Sequence, residues 1–133
     1  SIHSIFKLSY EDMTERLVKA ATNKFTTIIG HPTGRLLLSR EGYKFDWDKL
    51  INACKANNTA LELNSDEHRL DTPYPIIESA ILKGVKISIN SDAHSTNSLG
   101  NITNGIKVIN KTLIKKENIL NAYEFDDFLN IIK

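Results

Sequence analysis

The sequence predicts an α/β fold built from about four βα units whose strands run parallel. Short β-branched or apolar runs alternate with stretches in which apolar residues recur at helical spacing. Most of the connections between them are short, as in a parallel sheet covered by helices. An open doubly wound sheet and an arc of a βα barrel both fit this pattern. Since a whole barrel takes about 250 residues, four strands would make about half of one.

The first unit is predicted over residues 1–23. Residues 1–6, with the sequence SIHSIF, suit a strand. Ser9 and Asp12 then form a capping pattern at the start of a helix, which continues to about Asn23. The apolar stripe of that helix consists of Met13, Leu17, Val18 and Ala21.

The second unit begins with a β-branched strand over residues 26–29 that ends at Gly30. A long loop, residues 31–45, follows it and contains a second glycine, Gly34, that suits a turn. Asp46 is predicted to cap the next helix. The inward face of that helix would hold Trp47, Leu50, Ile51 and Cys54.

Two further strands are predicted over residues 59–63 and 85–89. Thr72 is predicted to cap the helix between them, with Pro73 at the first helical position, which proline suits. Gly84 lies where a left-handed residue ends a helix. A helix from about Leu99 and two short helices in the tail complete the chain. The solvent-exposed face of these C-terminal helices would carry Lys107, Lys111, Lys115 and Lys116.

Composition excludes several classes of protein. Seventeen Lys and Arg balance sixteen Asp and Glu in 133 residues, so a protein that coats DNA through bulk charge is excluded and any DNA contact must be local. No apolar run reaches the roughly 18 residues of a membrane span. The single Cys54 excludes an internal disulfide, which fits a reducing cytoplasm.

Polar side chains gather where the predicted strands end. Because the carboxyl ends of parallel strands form one edge, side chains there are expected to lie close together. Imidazole and carboxylate groups are ligands for Zn, Mn or Fe, although a single strand-end histidine is more often structural. The residues at this edge are His3, His31, Glu62, Asn64, Asp92 and His94.

Other polar residues have plainer interpretations. Cys54 is predicted to pack in the core, and His68 to be a solvated loop residue. Arg35, with Arg40 and Lys44 nearby, follows His31 in the chain. These three cations fit either a phosphate-binding loop or a solvated one.

Three segments of the sequence closely resemble the polymerase-and-histidinol-phosphatase (PHP) domain. They are IGHPTGRLL (29–37), ALELN (60–64) and NSDAHS (90–95). The run GHPTGR is typical of the C-terminal PHP domain of bacterial family X DNA polymerases. The resemblance covers residues 1–133 as one PHP domain, expected to be incomplete because the chain opens inside a predicted strand without a starting Met.

The resemblance implies a distorted seven-stranded TIM-like barrel, of which this chain would be the C-terminal half. It also implies up to three divalent ions, Mn or Zn, with fewer in this piece. His3, His31, Asp92 and His94 match metal-ligand positions, and the last three also match catalytic positions. Arg35 would contact phosphate, while Glu62 and Asn64 would support the ligands through hydrogen bonds.

The implied function is metal-dependent phosphoester hydrolysis, here 3′–5′ exonuclease activity on DNA beside a gap-filling repair polymerase. Two alternatives stay open: a separate phosphatase for a small monoester such as histidinol phosphate, and a non-catalytic scaffold that positions DNA or the polymerase domain. The remaining ligands of the family would precede Ser1. We therefore expect weak metal binding in this piece, and either self-association through open sheet edges or pairing with the preceding half.

Overall fold

The protein contains a small parallel sheet with helices on the connections between its strands. In a computed structural model, which describes residues 1–111 and 114–132, the strands are β1 (Ile28–Ile29), β2 (Ala60–Asn64) and β3 (Ile87–Asn90). They pair in the order β1-β2-β3, and both pairings are parallel. This arrangement confirms the predicted α/β class with parallel strands.

Five α-helices are present among the described residues, and three of them follow the predicted units closely. They are α1 (Tyr10–Ala21), α2 (Trp47–Ala56), α3 (Tyr74–Leu82), α4 (Ile102–Ile109) and α5 (Phe125–Ile131). The prediction for the tail was only partly right. The segment Asn97–Asn101 is a 3-10 helix that leads into α4, and two short 3-10 helices, Lys116–Asn118 and Leu120–Ala122, precede α5.

Local capping signals mark three of the helix ends, namely the starts of α1 and α2 and the end of α3. Ser9 Oγ accepts the amide of Asp12 at 3.0 Å, which caps α1 as predicted. Asp46 likewise accepts the amide of Lys49 at 3.0 Å and caps α2. Gly84 has φ +83°, the left-handed conformation expected after α3.

The predicted cap of α3 was wrong. Pro73 is the N-cap residue of this helix and makes no side-chain capping hydrogen bond. The hydroxyl of Thr72 instead donates to the carbonyl of Glu62 at 2.8 Å. Thr72 is buried beside β2, so its hydrogen bond joins the helix entry to the sheet.

The predicted first strand is also absent from the described residues, which hold three strands where four were expected. Residues 1–6 have no pairing partner in the sheet. Ile5 has φ +54°, which interrupts an extended conformation. The guanidinium of Arg16 binds this segment by donating to the carbonyls of Ser4 at 2.9 Å and Ile5 at 3.2 Å.

The core lies on both faces of the central strand β2. Leu61 is fully buried and sits in register with Ile29 on one side and Ile87 on the other. Cys54 is buried in the same core, as predicted. Within the described residues, no helix is long and apolar enough to cross a membrane.

A candidate active site at the carboxyl edge of the sheet

The ends of the three strands bring most of the predicted site residues to one edge. His31 follows β1 by two residues, Asn64 is the last residue of β2, and Asp92 follows β3 by two residues. Asn64 is in register with Asn90, so β2 and β3 end together. Parallel pairing therefore places these side chains at a common edge, although the chain connects them through helices.

Glu62 is the buried carboxylate that ties the three strand ends together. One of its oxygens accepts the amide of His31 at 2.5 Å, and the other accepts the side-chain amide of Asn90 at 2.8 Å. A Cβ atom at Gly30 would lie 3.4 Å from Glu62 and would meet the hydroxyl of Ser1. Ser1 is exposed and its side chain can move aside, so this contact does not require a glycine, whereas Gly34, with φ +63°, is a turn glycine as predicted.

Asp92 is held by two donors from the neighbouring strand and loop. Asn64 Nδ2 donates to its Oδ2 atom at 2.9 Å, and Arg69 Nε donates to the same oxygen at 3.0 Å. Partial burial by itself would raise the pKa of Asp92. The hydrogen bond from Asn64 and the charge of Arg69 outweigh burial, so the pKa of Asp92 lies below its usual value and the carboxylate is ionised.

Sequence reasoning missed Arg69 as a site residue. It lies in the loop after β2, on the same side of the sheet as the other candidates, and it forms a half-buried ion pair with Asp92. Its position between a strand and the following helix was the available signal. The family resemblance assigned no role to this position. An arginine in a loop with many charged residues is also what a solvent-exposed loop residue looks like in a sequence.

His31 is buried beneath the edge, with 5% of its surface exposed. Its ring packs edge-to-face against that of His3, with centroids 5.0 Å apart, and its Nδ1 atom is buried with no hydrogen-bond partner among the described residues. Burial is the main cause that lowers the pKa of His31, and the charges of Arg69 and His3 act in the same direction. The imidazole is therefore neutral at neutral pH and offers a lone pair.

Two of the predicted ligands have left-handed backbones. His31 has φ +29° and Asp92 has φ +52°, and neither is a glycine. Such conformations are costly for most residues and concentrate at functional sites. Ile5, Leu38, Asn58 and Leu70 have positive φ as well, so this conformation alone does not distinguish the edge from other turns.

His94 and His3 are more exposed than the other two predicted ligands. The Nδ1 atom of His94 lies 2.6 Å from the carbonyl oxygen of Asp92, and its amide donates to Ser98 Oγ at 3.1 Å. His3 lies in the irregular segment before α1 and reaches the edge through its contact with the ring of His31. Neither ring hydrogen-bonds to a carboxylate within the described part of the chain.

The side chains at this edge are of types that bind divalent ions. They are not arranged so that three or more of them could coordinate one ion. The neutral ring of His31, with its unpartnered nitrogen, and the ionised carboxylate of Asp92 are suitable ligands. However, residues 1–111 and 114–132 contain no group of three or more His, Cys, Asp or Glu placed to hold a metal ion. His3, His31, Asp92 and His94 therefore do not form a complete coordination group by themselves.

The basic residues after His31 brace loops in this structure. Arg35 Nε donates to the carbonyl of Arg69 at 2.7 Å, and its Nη2 atom donates to the carbonyl of Leu70. Arg40 donates twice to the carbonyl of Gly34, at 2.7 and 3.0 Å. Lys44 is exposed. The contact of Arg35 with phosphate stays a prediction, while His68 lies on the surface as expected.

Asp71 anchors the turn that contains His31. Its side chain is fully buried, and its Oδ2 atom accepts both the amide of Thr33 at 3.0 Å and the Thr33 hydroxyl at 2.7 Å. Its Oδ1 atom has no partner in the described residues, and neither has the buried hydroxyl of Tyr43. Burial raises the pKa of Asp71 despite the two bonds from Thr33.

We expect the stability that Asp71 contributes to depend on pH. Its pKa is raised on folding, so the folded protein holds this proton more tightly than the unfolded chain does. The contribution is fully present below the ordinary pKa of 3.8 and is lost as pH rises through the raised value. The test measures the free energy of unfolding in urea for the wild type and for Asp71→Asn. The value for the wild type minus the value for the variant should fall as pH rises from 4 to 7.

The matched control is Asp48→Asn, because Asp48 is exposed on α2. This variant removes one exposed carboxylate, so the same difference, taken for it, measures the general effect of losing a negative charge from the surface. A difference for Asp71→Asn that stays constant or grows with pH would contradict the assignment of a raised pKa.

Comparison with known proteins gives relatives of two kinds. The chain is 40% identical over 133 residues to the DNA polymerase/3′-5′ exonuclease PolX of Bacillus subtilis. It is 30% identical over 120 residues to a probable phosphatase of Clostridium acetobutylicum, and 28% identical over 131 residues to a probable phosphatase of Thermoanaerobacter sp. strain X514. No protein-family model matches the chain.

The chain spans only part of each relative. The alignments cover 100%, 86% and 92% of this chain, but 23% of PolX and 47% and 51% of the two probable phosphatases. The match to PolX falls in the C-terminal part of that protein. The similarity therefore extends over almost the whole described structure, including all three strand ends.

Proposed function

Because this chain belongs to the PHP family and matches the C-terminal part of a family X DNA polymerase, we propose that it is part of a metal-dependent phosphoesterase domain that trims the 3′ ends of DNA. The observation that carries the proposal is the edge of the sheet where His31, Asn64 and Asp92 meet. Relatives named as an exonuclease and as phosphatases have phosphoester hydrolysis in common. In this proposal the domain works in the cytoplasm, beside a gap-filling polymerase used in DNA repair.

The four predicted ligands keep their proposed role as donors to divalent ions, Mn or Zn. Such ions supply an activated water and neutralise phosphoryl oxygens when bound. We assign the donors that complete the coordination, and the strands that close a seven-stranded barrel, to the preceding half of the PHP domain in the full-length protein. The support for this assignment is that PolX is about four times as long as this chain.

Hydrogen bonds within this chain fix the orientation of the side chains at the edge of the sheet and keep the carboxylate of Asp92 ionised. Glu62 positions the backbone of His31 and the side chain of Asn90. Asn64 and Arg69 hold the carboxylate of Asp92 in one orientation and keep it ionised. Fixed orientation of this kind is what a reacting group requires, because a displacement of about 1 Å lowers rates greatly.

DNA is favoured over a small phosphate monoester as the substrate. Identity to the polymerase/exonuclease is 40% over the whole chain, against 30% and 28% for the two probable phosphatases. The run GHPTGR after β1 also favours the polymerase branch. Balanced net charge argues against a scaffold that holds DNA by bulk electrostatics alone.

The substrate assignment is tested with the full-length gene product and Mn²⁺. We expect kcat/KM for a 3′-labelled single-stranded oligonucleotide to exceed that for histidinol phosphate by about tenfold or more, since remote parts of a polymeric substrate add binding energy to the transition state. Hydrolysis of the monoester alone would indicate a small-molecule phosphatase. Binding of the oligonucleotide with hydrolysis of neither substrate would indicate a scaffold.

A further inference from the structure

Arg69 uses only part of its guanidinium group to hold Asp92. Its Nε atom donates to Asp92 Oδ2 at 3.0 Å, so one hydrogen bond joins the pair rather than the two of a bidentate pair. Its Nη1 atom lies 3.4 Å from the carbonyl oxygen of Arg35, and its Nη2 atom makes no hydrogen bond to any residue in the described ranges. The side chain is 18% exposed. Arg69 therefore keeps donors available beside Asp92.

The backbone of Arg69 is held by the loop that carries it. Asn64 and Asp71 pair as an antiparallel bridge, which closes the loop of residues 65–70 at its base. The carbonyl of Arg69 accepts Arg35 Nε at 2.7 Å, and the carbonyl of the next residue accepts the Nη2 atom of the same arginine. Arg35 thus braces the backbone from which Arg69 extends. A cation held in this way loses little conformational freedom when it binds a ligand.

The carboxylates in the same loop do not neutralise this guanidinium. The loop region carries Asp66, Glu67 and Asp71, and none of the three forms an ion pair with the arginine in the described structure. Asp71 is fully buried and accepts two hydrogen bonds from Thr33. Asp66 accepts the side-chain amide of Asn101 at 3.1 Å. The charge next to the guanidinium is therefore that of its partner at the edge of the sheet, not that of the loop as a whole.

Arg69 acts on both of the strand ends that carry the proposed site. Its positive charge lowers the pKa of Asp92 and also that of His31, so the guanidinium lies within electrostatic reach of both side chains. His31 follows β1 and Asp92 follows β3. A phosphoester bound between these two strand ends would therefore meet the guanidinium of Arg69.

We propose that Arg69 binds the phosphoryl group of the substrate, with its Nη atoms donating to a non-bridging oxygen while its Nε atom continues to hold Asp92. This inference rests on the proposed function and names the residue of this chain that contacts the phosphate. Arginine suits both tasks at once, because its planar guanidinium presents five donors in fixed directions, whereas lysine offers a compact point charge. Arg35 then supports the contact indirectly, through the backbone of Arg69.

The test compares Arg69→Gln with Arg69→Lys in the full-length gene product loaded with Mn²⁺. The probe is inorganic phosphate. Its Kd is measured from the broadening of its phosphorus NMR resonance by protein-bound Mn²⁺, and its Ki is measured against the hydrolysis of bis(p-nitrophenyl) phosphate. The affinity of each variant for Mn²⁺ itself is measured by electron paramagnetic resonance.

The matched control is Lys83→Gln. Lys83 also forms an ion pair with an aspartate, Asp48, at 2.6 Å, but it follows α3 and precedes β3, away from the carboxyl edge of the sheet. This variant therefore removes one paired cation without touching the proposed site, and it should match the wild type in every measurement.

We expect Arg69→Gln to raise both the Kd and the Ki for phosphate about tenfold or more, the scale of one lost hydrogen bond to a charged group. KM for bis(p-nitrophenyl) phosphate should rise by a similar factor. Arg69→Lys should recover only part of the loss, because an ammonium group cannot hold Asp92 and the phosphate in the same geometry. Affinity for Mn²⁺ should not fall in Arg69→Gln, since the substitution removes a positive charge from beside a cation site.

An unchanged Kd for phosphate in Arg69→Gln would overturn the inference, as would an equal rise in Lys83→Gln. A lower kcat with unchanged KM and phosphate affinity, or weaker binding of Mn²⁺, would make Arg69 only a positioning residue for Asp92 and would also overturn it. Failure of the wild type to hydrolyse the phosphodiester would refute the proposed function separately. The Kd for phosphate from NMR would still decide the role of Arg69.

Discussion

Replacement of Asp92 by asparagine is expected to lower kcat/KM for phosphodiester hydrolysis by about 100- to 1000-fold, the range for removal of one charge-stabilising group from an active site. Asparagine has nearly the same shape, so the change removes the negative charge rather than the volume. The hydrogen bond from Asn64 at 2.9 Å and the ion pair with Arg69 at 3.0 Å show that the charge is what its neighbours bind. Initial rates on a 3′-labelled oligonucleotide measure the effect.

The matched control for this substitution is Asp48→Asn. Asp48 is exposed on α2, where it pairs with Lys83 at 2.6 Å, and it lies outside the edge of the sheet that holds Asp92. This variant should retain the wild-type rate. Circular dichroism of both variants separates a lost fold from a lost charge, and a well-folded Asp92→Asn protein with near-normal activity would contradict the proposed role of Asp92.

Replacement of Leu61 by alanine is expected to lower the free energy of unfolding by about 2–5 kcal/mol, the range for deletion of a fully buried leucine side chain. Leu61 is fully buried in the central strand and lies in register with Ile29 and Ile87. Its loss removes packing shared by all three strands. Urea unfolding, followed by circular dichroism, measures the change.

Leu82→Ala provides the comparison, since Leu82 is the same residue type but 88% exposed. A surface truncation of this kind should change stability by about 0.5 kcal/mol or less. If the two variants were equally stable, β2 would not be the centre of the core. The site residues are carried on the strand ends, so Leu61→Ala should also lower activity at temperatures where the sheet unfolds.

Local signals in the sequence predicted much of the fold. Ser9 and Asp46 cap helices because each side chain satisfies an amide three residues ahead, a short-range bond that is visible in the sequence. Gly84 adopts the left-handed conformation for an equally local reason. The alternation of strands and helices then placed His31 and Asp92 at one edge without any knowledge of tertiary contacts.

Features that depend on distant residues were not predictable in the same way. Residues 1–6 have a strand-like composition, but a strand exists only where a partner supplies ladder hydrogen bonds, and here Arg16 binds their carbonyls instead. The pairing of Arg69 with Asp92 joins residues 23 positions apart. The link from Glu62 to the amide of His31 spans 31 positions.

The metal-ligand roles of His3, His31, Asp92 and His94 stay a prediction, although imidazole and carboxylate groups do lie at the same edge of the sheet. The predicted order of strands and helices placed imidazole and carboxylate groups at the same edge, because these residues come directly after the ends of parallel strands. Coordination requires three or more donors to converge, and no such group exists within the described ranges. Sequence spacing cannot supply that convergence, since it depends on how loops such as 91–96 turn after the strand.

The central claim is that His31 and Asp92 belong to one functional site, and a double-mutant cycle on Mn²⁺ binding tests it most directly. The affinity of the full-length gene product is measured by electron paramagnetic resonance for the wild type, His31→Gln, Asp92→Asn and the double variant. We predict that each single variant weakens the same class of binding site and that the double variant is much less than additive. Fully additive losses, or no loss in either single variant, would contradict a shared site.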